Sequence, residues 1–396
     1  MNIQLETISC PLCKSNINKN VYSDNRIVGT SGEVKINVQQ CSDCNFIFNS
    51  PRPTQEGLES YYKNSDLASG QVYRDESDKD DYSILHAERA NFLKKSLSND
   101  RQFSLIDIGC GNGGFLKAVR NEVPNSSIKG LDPSKQAVEN CKEIGIDVIQ
   151  AGINDISKMN IEVDVISLIS VLEHLPDPRE AIREIKKVLG TTGIFYIEIP
   201  NTLKPEVSLT GFFGFEHIVH FTPATIYKLL KEEGFDKIKR DFSVDHVIRV
   251  VASASNHDLF IGDSISIKDD LEESRLSILN YCKDEKLLVH KLRNRVKSFL
   301  EDWKSSGKKV AIYGAGHHSV ELSSHIDLYN FVDCYLDGDV HKQGKSFLGK
   351  EVYSPLVIKD LDIDAVIISS GRFVDEMKRT VINSGKNNLI VKTCYE

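Results

Sequence analysis

The sequence contains no run approaching the ~18 apolar residues that a membrane-spanning helix needs. It has no basic surplus either: 57 acidic residues outnumber 49 Lys and Arg, for a net charge of −8, which argues against a nucleic-acid footprint. Internal repeats and low-complexity tracts are absent, which sets aside solenoids and compositionally biased tails. The opening Met1-Asn2-Ile3-Gln4-Leu5-Glu6 has neither the basic region nor the apolar run of a secretory signal. A disulfide framework does not fit, because the nine cysteines are odd in number and five of them stand alone. Together these absences predict a cytoplasmic protein that meets neither nucleic acid nor membrane.

With 396 residues, 40% of them hydrophobic and 27% charged, the chain is globular and too long for one core. The texture predicts four segments: residues 1–55, short, turn-rich and marked by cysteine; 56–255, an α/β domain; 256–303, a helical linker; and 304–396, a second, smaller α/β unit. Pro51-Arg52-Pro53 is a stiff stop, followed by helices around a polar loop with Leu58, Tyr61 and Tyr62 at helical spacing. The charge run Arg74–Asp81 reads as a solvated loop. Leu105–Ile108, Ile128–Leu131, Val148–Ile149, Val163–Ile169 and Ile194–Ile199 read as buried parallel strands of a doubly wound sheet. Phe235–Phe242 and His246–Ala252 read as an antiparallel pair at its edge. In the last segment Val310–Tyr313, Phe331–Leu336, Ala365–Ser369 and Leu389–Val391 read as strands, with Val374–Ser384 as a helix.

Cys10-Pro-Leu-Cys13 and Cys41-Ser-Asp-Cys44 are two Cys-x-x-Cys knuckles. Each sets two thiolates along one edge of a tetrahedron, and two knuckles complete a four-sulfur shell for Zn²⁺. Four protein ligands leave no open position, so the expected ion is structural and stabilises a segment too small for its own core.

Leu105-Ile106-Asp107-Ile108-Gly109-Cys110-Gly111-Asn112-Gly113-Gly114 runs from a strand through a glycine-rich turn into a helix. Glycine permits positive φ and lets a ligand lie against the backbone. The turn alone would also suit a dinucleotide-binding protein. Context narrows it: Asp107 precedes Gly109, Gly111 and Gly113, and Asp132 ends the next strand, where it can accept from both hydroxyls of a ribose or cap a helix. Val171-Leu172-Glu173-His174-Leu175-Pro176-Asp177-Pro178 follows the fourth strand. Together these stations resemble the class I methyltransferase family across Ser104–Ala252. The resemblance implies S-adenosylmethionine as cofactor, with Asp107 toward its cationic amino-acid end and Glu173 and His174 near the sulfonium or shaping the pocket.

The order of cysteine knuckles, methyltransferase core and second Rossmann-like unit resembles the three-domain sugar C-methyltransferases. Its C-terminal part is carried by Lys309-Val310-Ala311-Ile312-Tyr313-Gly314-Ala315-Gly316, Leu336-Asp337-Gly338-Asp339 and Leu348-Gly349-Lys350-Glu351-Val352. The likeness implies a small-molecule substrate, a nucleotide-linked sugar, made into surface polysaccharide or a secondary metabolite. It also implies that the C-terminal unit helps hold the nucleotide, with Tyr313, Gly314 and Asp337 in its site. That family has a Tyr-x-Glu-His-x-x-Tyr-Phe segment after its fifth strand, whose His is the base. Here Gly214-Phe215-Glu216-His217-Ile218-Val219-His220-Phe221 keeps Glu216 and His217, while Gly214 and His220 replace both tyrosines. The resemblance therefore implies His217 as base, with Glu216 and His220 as its catalytic neighbours. Transfer to carbon, oxygen or nitrogen stays open, as does a non-catalytic, zinc-stabilised binding protein.

Overall fold

The computed structural model describes residues 4–27, 33–58, 80–97, 102–159, 161–254, 268–371 and 373–395. Tyr61, Tyr62, most of the Arg74–Asp81 charge run and linker residues 256–267 lie outside them. The chain forms two compact units, Met1–Asp24 with Lys35–Pro205 and Phe213–Leu279, and Asn25–Val34 with Glu206–Phe212 and Asn280–Glu396. Among the described residues no helix is long and apolar enough to cross a membrane.

The N-terminal strands are β1 (Leu5–Glu6), β2 (Asn18–Ile27), β3 (Glu33–Cys41), β4 (Ile47–Asn49) and β5 (Arg52–Pro53). The expectation of short turns there is corrected, since β2 and β3 are ten and nine residues long. Ile36, Val38 and Gln40 are the buried alternation of β3, and the polar Gln40 breaks the apolar period that announces a strand. β11 (Val219–His220), from far along the chain, completes this sheet by pairing antiparallel with β4.

Helix α1 (Asp80–Ser96) precedes the main sheet of the first unit. That sheet is built from β6 (Ser104–Ile108), β7 (Ser127–Asp132), β8 (Val148–Gln150), β9 (Val165–Ile169), β10 (Ile194–Pro200), β12 (Lys237–Arg240) and β13 (Val247–Ser253). Between its strands run α2 (Gly114–Glu122), α3 (Lys135–Glu143), α4 (Pro178–Leu189) and α5 (Pro223–Glu232). The order is β12-β13-β10-β9-β6-β7-β8, with β13 antiparallel to both of its neighbours. β9 and β10 are buried almost throughout because helices cover both faces, which is why they read as apolar runs broken by Ser167 and Glu198. α4 shows how sequence ends a helix. Asp177 accepts from the Glu180 N–H at 3.0 Å, Pro178 opens the first turn, and Gly190 stops it at φ 61°. Ala181, Ile182, Ile185 and Leu189 form its buried stripe. The strand order reverses between β6 and β9, the place where open α/β sheets bind ligands at strand C-termini.

Where a linker with several helices is expected, the described residues hold one 35-residue helix, α6 (Leu271–Ser305). Its Leu292, Val296, Leu300 and Trp303 pack in the core of the second unit with Val310, Ile312, Ala365 and Ile367. That unit holds β14 (Val310–Tyr313), α7 (His317–His325), β15 (Cys334–Leu336), β16 (Ser346–Phe347), β17 (Lys350–Tyr353), β18 (Ala365–Ile368), α8 (Val374–Asn383) and β19 (Ile390–Thr393). Its sheet runs β16-β17-β15-β14-β18-β19, parallel except for β16.

Candidate cofactor and acceptor site

Each cysteine knuckle turns on a residue in the left-handed region, Lys14 at φ 64° and Asn45 at φ 65°. Their N–H groups return to the Cys10 carbonyl at 2.9 Å and the Cys41 carbonyl at 3.1 Å. The two knuckles thus have one geometry. Cys10 Sγ lies 3.5 Å from Cys44 Sγ and Cys13 Sγ lies 3.5 Å from Cys41 Sγ, with all four sulfurs within 4.8 Å of one another. A ZnS₄ tetrahedron with bonds of ~2.3 Å has edges of ~3.8 Å. The donor set fits that ion.

In the glycine turn, Gly109, Gly111 and Gly113 take φ of 73°, 51° and 72°. A side chain at Gly109 would also put its Cβ 2.4 Å from Val171 Cγ2. Asp132 answers the turn: its Oδ2 accepts from Gly111 N–H at 2.9 Å and its Oδ1 from Ser134 N–H at 2.8 Å. Ser134, not Asp132, caps α3. A carboxylate offers about four acceptor positions, so each oxygen of Asp132 keeps one for a ribose hydroxyl. Asp107 is buried and accepts from Ser167 Oγ at 2.7 Å. Burial pushes its carboxyl up to about 7, with Ser167 and Arg89 opposing and Asp132 adding. A cationic amino-acid end beside it would restore the carboxylate. These residues fit S-adenosylmethionine.

Beneath the turn lies a charge network that sequence reading missed. Glu198 of β10 is buried and held by Arg89 of α1 and Arg249 of β13, and Arg249 also reaches Asp241 at 2.8 Å. His86, one turn before Arg89, sits so close to Gly114 that a Cβ there would meet its Nε2 at 2.4 Å. A glutamate inside the apolar run Ile194–Ile199 was the available signal.

The post-β9 turn and the segment before β11 converge. Ile218 N–H donates to the Glu173 carbonyl at 2.9 Å, and His174 Nδ1 lies 3.0 Å from the Glu216 carbonyl. Since a carbonyl only accepts, Nδ1 carries the proton. The His174 and His217 rings stand edge to face, centroids 4.8 Å apart. Burial brings His174 down to about 4, so its ring is neutral at pH 7. Glu173 is buried with neither carboxyl oxygen hydrogen-bonded among the described residues, and burial pushes it up to about 8.

His220 is placed differently. It is buried in β11, its Nε2 lies 3.0 Å from Asn49 Oδ1, and its ring meets Phe213 edge-on. Asn49, from β4 in the cysteine module, also donates to the carbonyls of His217 at 2.9 Å and Gly214 at 3.2 Å. Glu216 is half-buried and contributes its carbonyl to His174.

In the second unit β14 ends in Tyr313 and Gly314, the latter at φ 118° with room for a Cβ only 2.6 Å from the Ser369 carbonyl oxygen. Asp337 accepts from Ala315 N–H at 2.9 Å, Asp339 N–H at 2.9 Å and Lys342 Nζ at 3.1 Å. His318 bridges Ser369 Oγ at 2.8 Å and Tyr395 Oη at 2.7 Å.

Residues 79–240 match the family model described as a methyltransferase domain. This part of the chain is therefore an S-adenosylmethionine-dependent methyltransferase domain. Residues 306–391 match a second model, described as C2185-like, N-terminal. Among curated relatives, the ubiquinone biosynthesis O-methyltransferase of Nitrosomonas europaea is 24% identical over 36% of this chain and 63% of its own length. The C-methyltransferase NovU of Streptomyces niveus is 20% identical over 63% of this chain and 61% of its own. The chain thus spans less than two thirds of either relative. The solved CurJ carbon methyltransferase shares 15% identity over 48% of this chain and 60% of its own, at a TM-score of 0.41, too loose a likeness to bear on the argument.

Proposed function

We propose that the protein transfers a methyl group from S-adenosylmethionine to a small acceptor, a nucleotide-linked sugar destined for surface polysaccharide or a secondary metabolite. The observation that carries this reading is the convergence of Glu173, His174 and His217 within one cluster after β9 and before β11. Asp107, Gly109, Gly111, Gly113 and Asp132 hold the cofactor, whose sulfonium supplies an electrophilic methyl. The chain's own task is to keep the acceptor in line and receive its proton. We assign that proton to His217, with Glu216 beside it and His220 positioning the segment through Asn49. Zn²⁺ on Cys10, Cys13, Cys41 and Cys44 holds the N-terminal module in shape, and Tyr313, Gly314 and Asp337 of the second unit receive the nucleotide. We place the protein in the cytoplasm.

A second reading, methylation of oxygen or nitrogen on another small metabolite, draws on the loss of both family tyrosines at Gly214 and His220. The discriminating assay is exchange of a sugar carbon's proton with deuterated solvent in the absence of cofactor. Exchange at the carbon next to a keto group supports C-methylation, and methyl transfer without exchange moves the reading to oxygen or nitrogen. His217→Ala is expected to cut turnover by roughly 10²–10⁴-fold with cofactor affinity nearly intact. Near-normal turnover in that variant would place the proton acceptor elsewhere.

A further inference from the structure

We propose that Glu173, His174 and His217 form a second metal site, one that takes a divalent first-row transition ion at the acceptor pocket. Their ligating atoms lie within 4.8 Å of one another. An ion bonded at ~2.1 Å to nitrogen and oxygen donors needs edges of ~3.0–3.4 Å, so side-chain rotations close the set.

Three features point to an ion. First, Glu173 is 2% exposed and both of its oxygens lack a hydrogen-bond partner among the described residues, whereas a buried carboxylate normally has one. Second, His174 gives its Nδ1–H to the Glu216 carbonyl, the kind of outer contact that fixes a ligating imidazole's tautomer. Third, two imidazoles and one carboxylate leave coordination positions open, which separates this set from the closed four-sulfur shell. An oxygen of the acceptor, hydroxyl or carbonyl, would fill an open position and be polarised there.

The inference rests on the methyltransferase reading of this pocket but changes one role within it. Once His217 gives its lone pair to an ion, it no longer receives the acceptor's proton.

Mn²⁺ is the probe, because thiolates bind it poorly while imidazole and carboxylate bind it well. The full chain, freed of labile metal by mild chelation, is titrated with Mn²⁺ and the free ion is followed by its paramagnetic resonance signal. One Mn²⁺ per chain is expected, with affinity falling at least about 100-fold in His217→Ala and in Glu173→Gln. S-adenosylhomocysteine binding and circular dichroism show whether each variant is folded. Should Glu173→Gln fail to fold, His217→Asn takes its place. Absence of Mn²⁺ binding by the wild-type chain, or equal binding by a folded His217 variant, overturns the site. Methyl transfer that continues without bound Mn²⁺ would then leave the proposed function standing. Mn²⁺ binding in a chain that fails to bind S-adenosylhomocysteine would instead count against that function and not the site.

Discussion

Asp132 accepts from the Gly111 N–H at 2.9 Å, and Asp337 accepts from the Ala315 N–H at the same distance. Each aspartate closes the second strand of a parallel sheet onto the glycine turn of the first, and each also accepts from the N–H two residues on. What surrounds them differs. The first turn has three left-handed glycines and Asp132 has only backbone partners among the described residues, while the second turn has Gly314 left-handed, Gly316 extended at φ −145°, and Lys342 on its aspartate. The strand-end aspartate is thus a joint of the fold common to both units. The run of glycines and the uncompensated carboxylate set the cofactor turn apart.

The largest expected effect comes from removing the aspartates in turn. Asp132→Ala should weaken S-adenosylhomocysteine binding by about 1.5–3 kcal/mol for each ribose hydrogen bond lost. Asp337→Ala should leave that affinity unchanged, and calorimetry on both variants checks the contrast. A loss of similar size in both would erase the distinction between the turns.

Next, Gly109→Ala places a Cβ against Val171 in a left-handed conformation, for a stability loss of about 1–3 kcal/mol. Gly316→Ala, with extended backbone and nothing within 4 Å of the added Cβ, should stay within about 0.5 kcal/mol of wild type in chemical denaturation.

A subtler expectation concerns pH. Asp107 must ionise to face a cationic ligand, so S-adenosylhomocysteine affinity should rise as pH climbs toward about 7 and level off above it. The sign for stability is opposite in the ligand-free chain. A carboxyl raised from 3.8 to about 7 binds more protons folded than unfolded, so its stabilising contribution is lost as pH rises through that interval. Affinity measured across pH 5–9 should show the slope, and Asp107→Asn should flatten it.

How much of this was legible depended on how local the cause was. β6, β9 and β10 were readable because burial on both faces demands mostly apolar runs, and the glycine turn because positive φ favours glycine. The β2 and β3 strands were not, since Gln40 and Arg26 take buried positions that an apolar pattern would assign to hydrophobic residues. Glu198 shows in sequence as an anomaly, but its partners Arg89 and Arg249 come from opposite ends of the domain. Asn49 carries no local signal at all. Its importance arises from the His217 and Gly214 carbonyls more than 160 residues away.

That asparagine makes the cysteine module more than a folded appendage. β4 pairs with β11, and Asn49 ties down the backbone on one side of His217 and the ring of His220 on the other. The segment around His217 is therefore held in part by the cysteine module. On the proposed zinc assignment, a chain starved of that ion would go on capturing its cofactor while losing its grip on the acceptor, a loaded but idle state. In whole cells the deficiency would register as slower product formation with no change in cofactor occupancy.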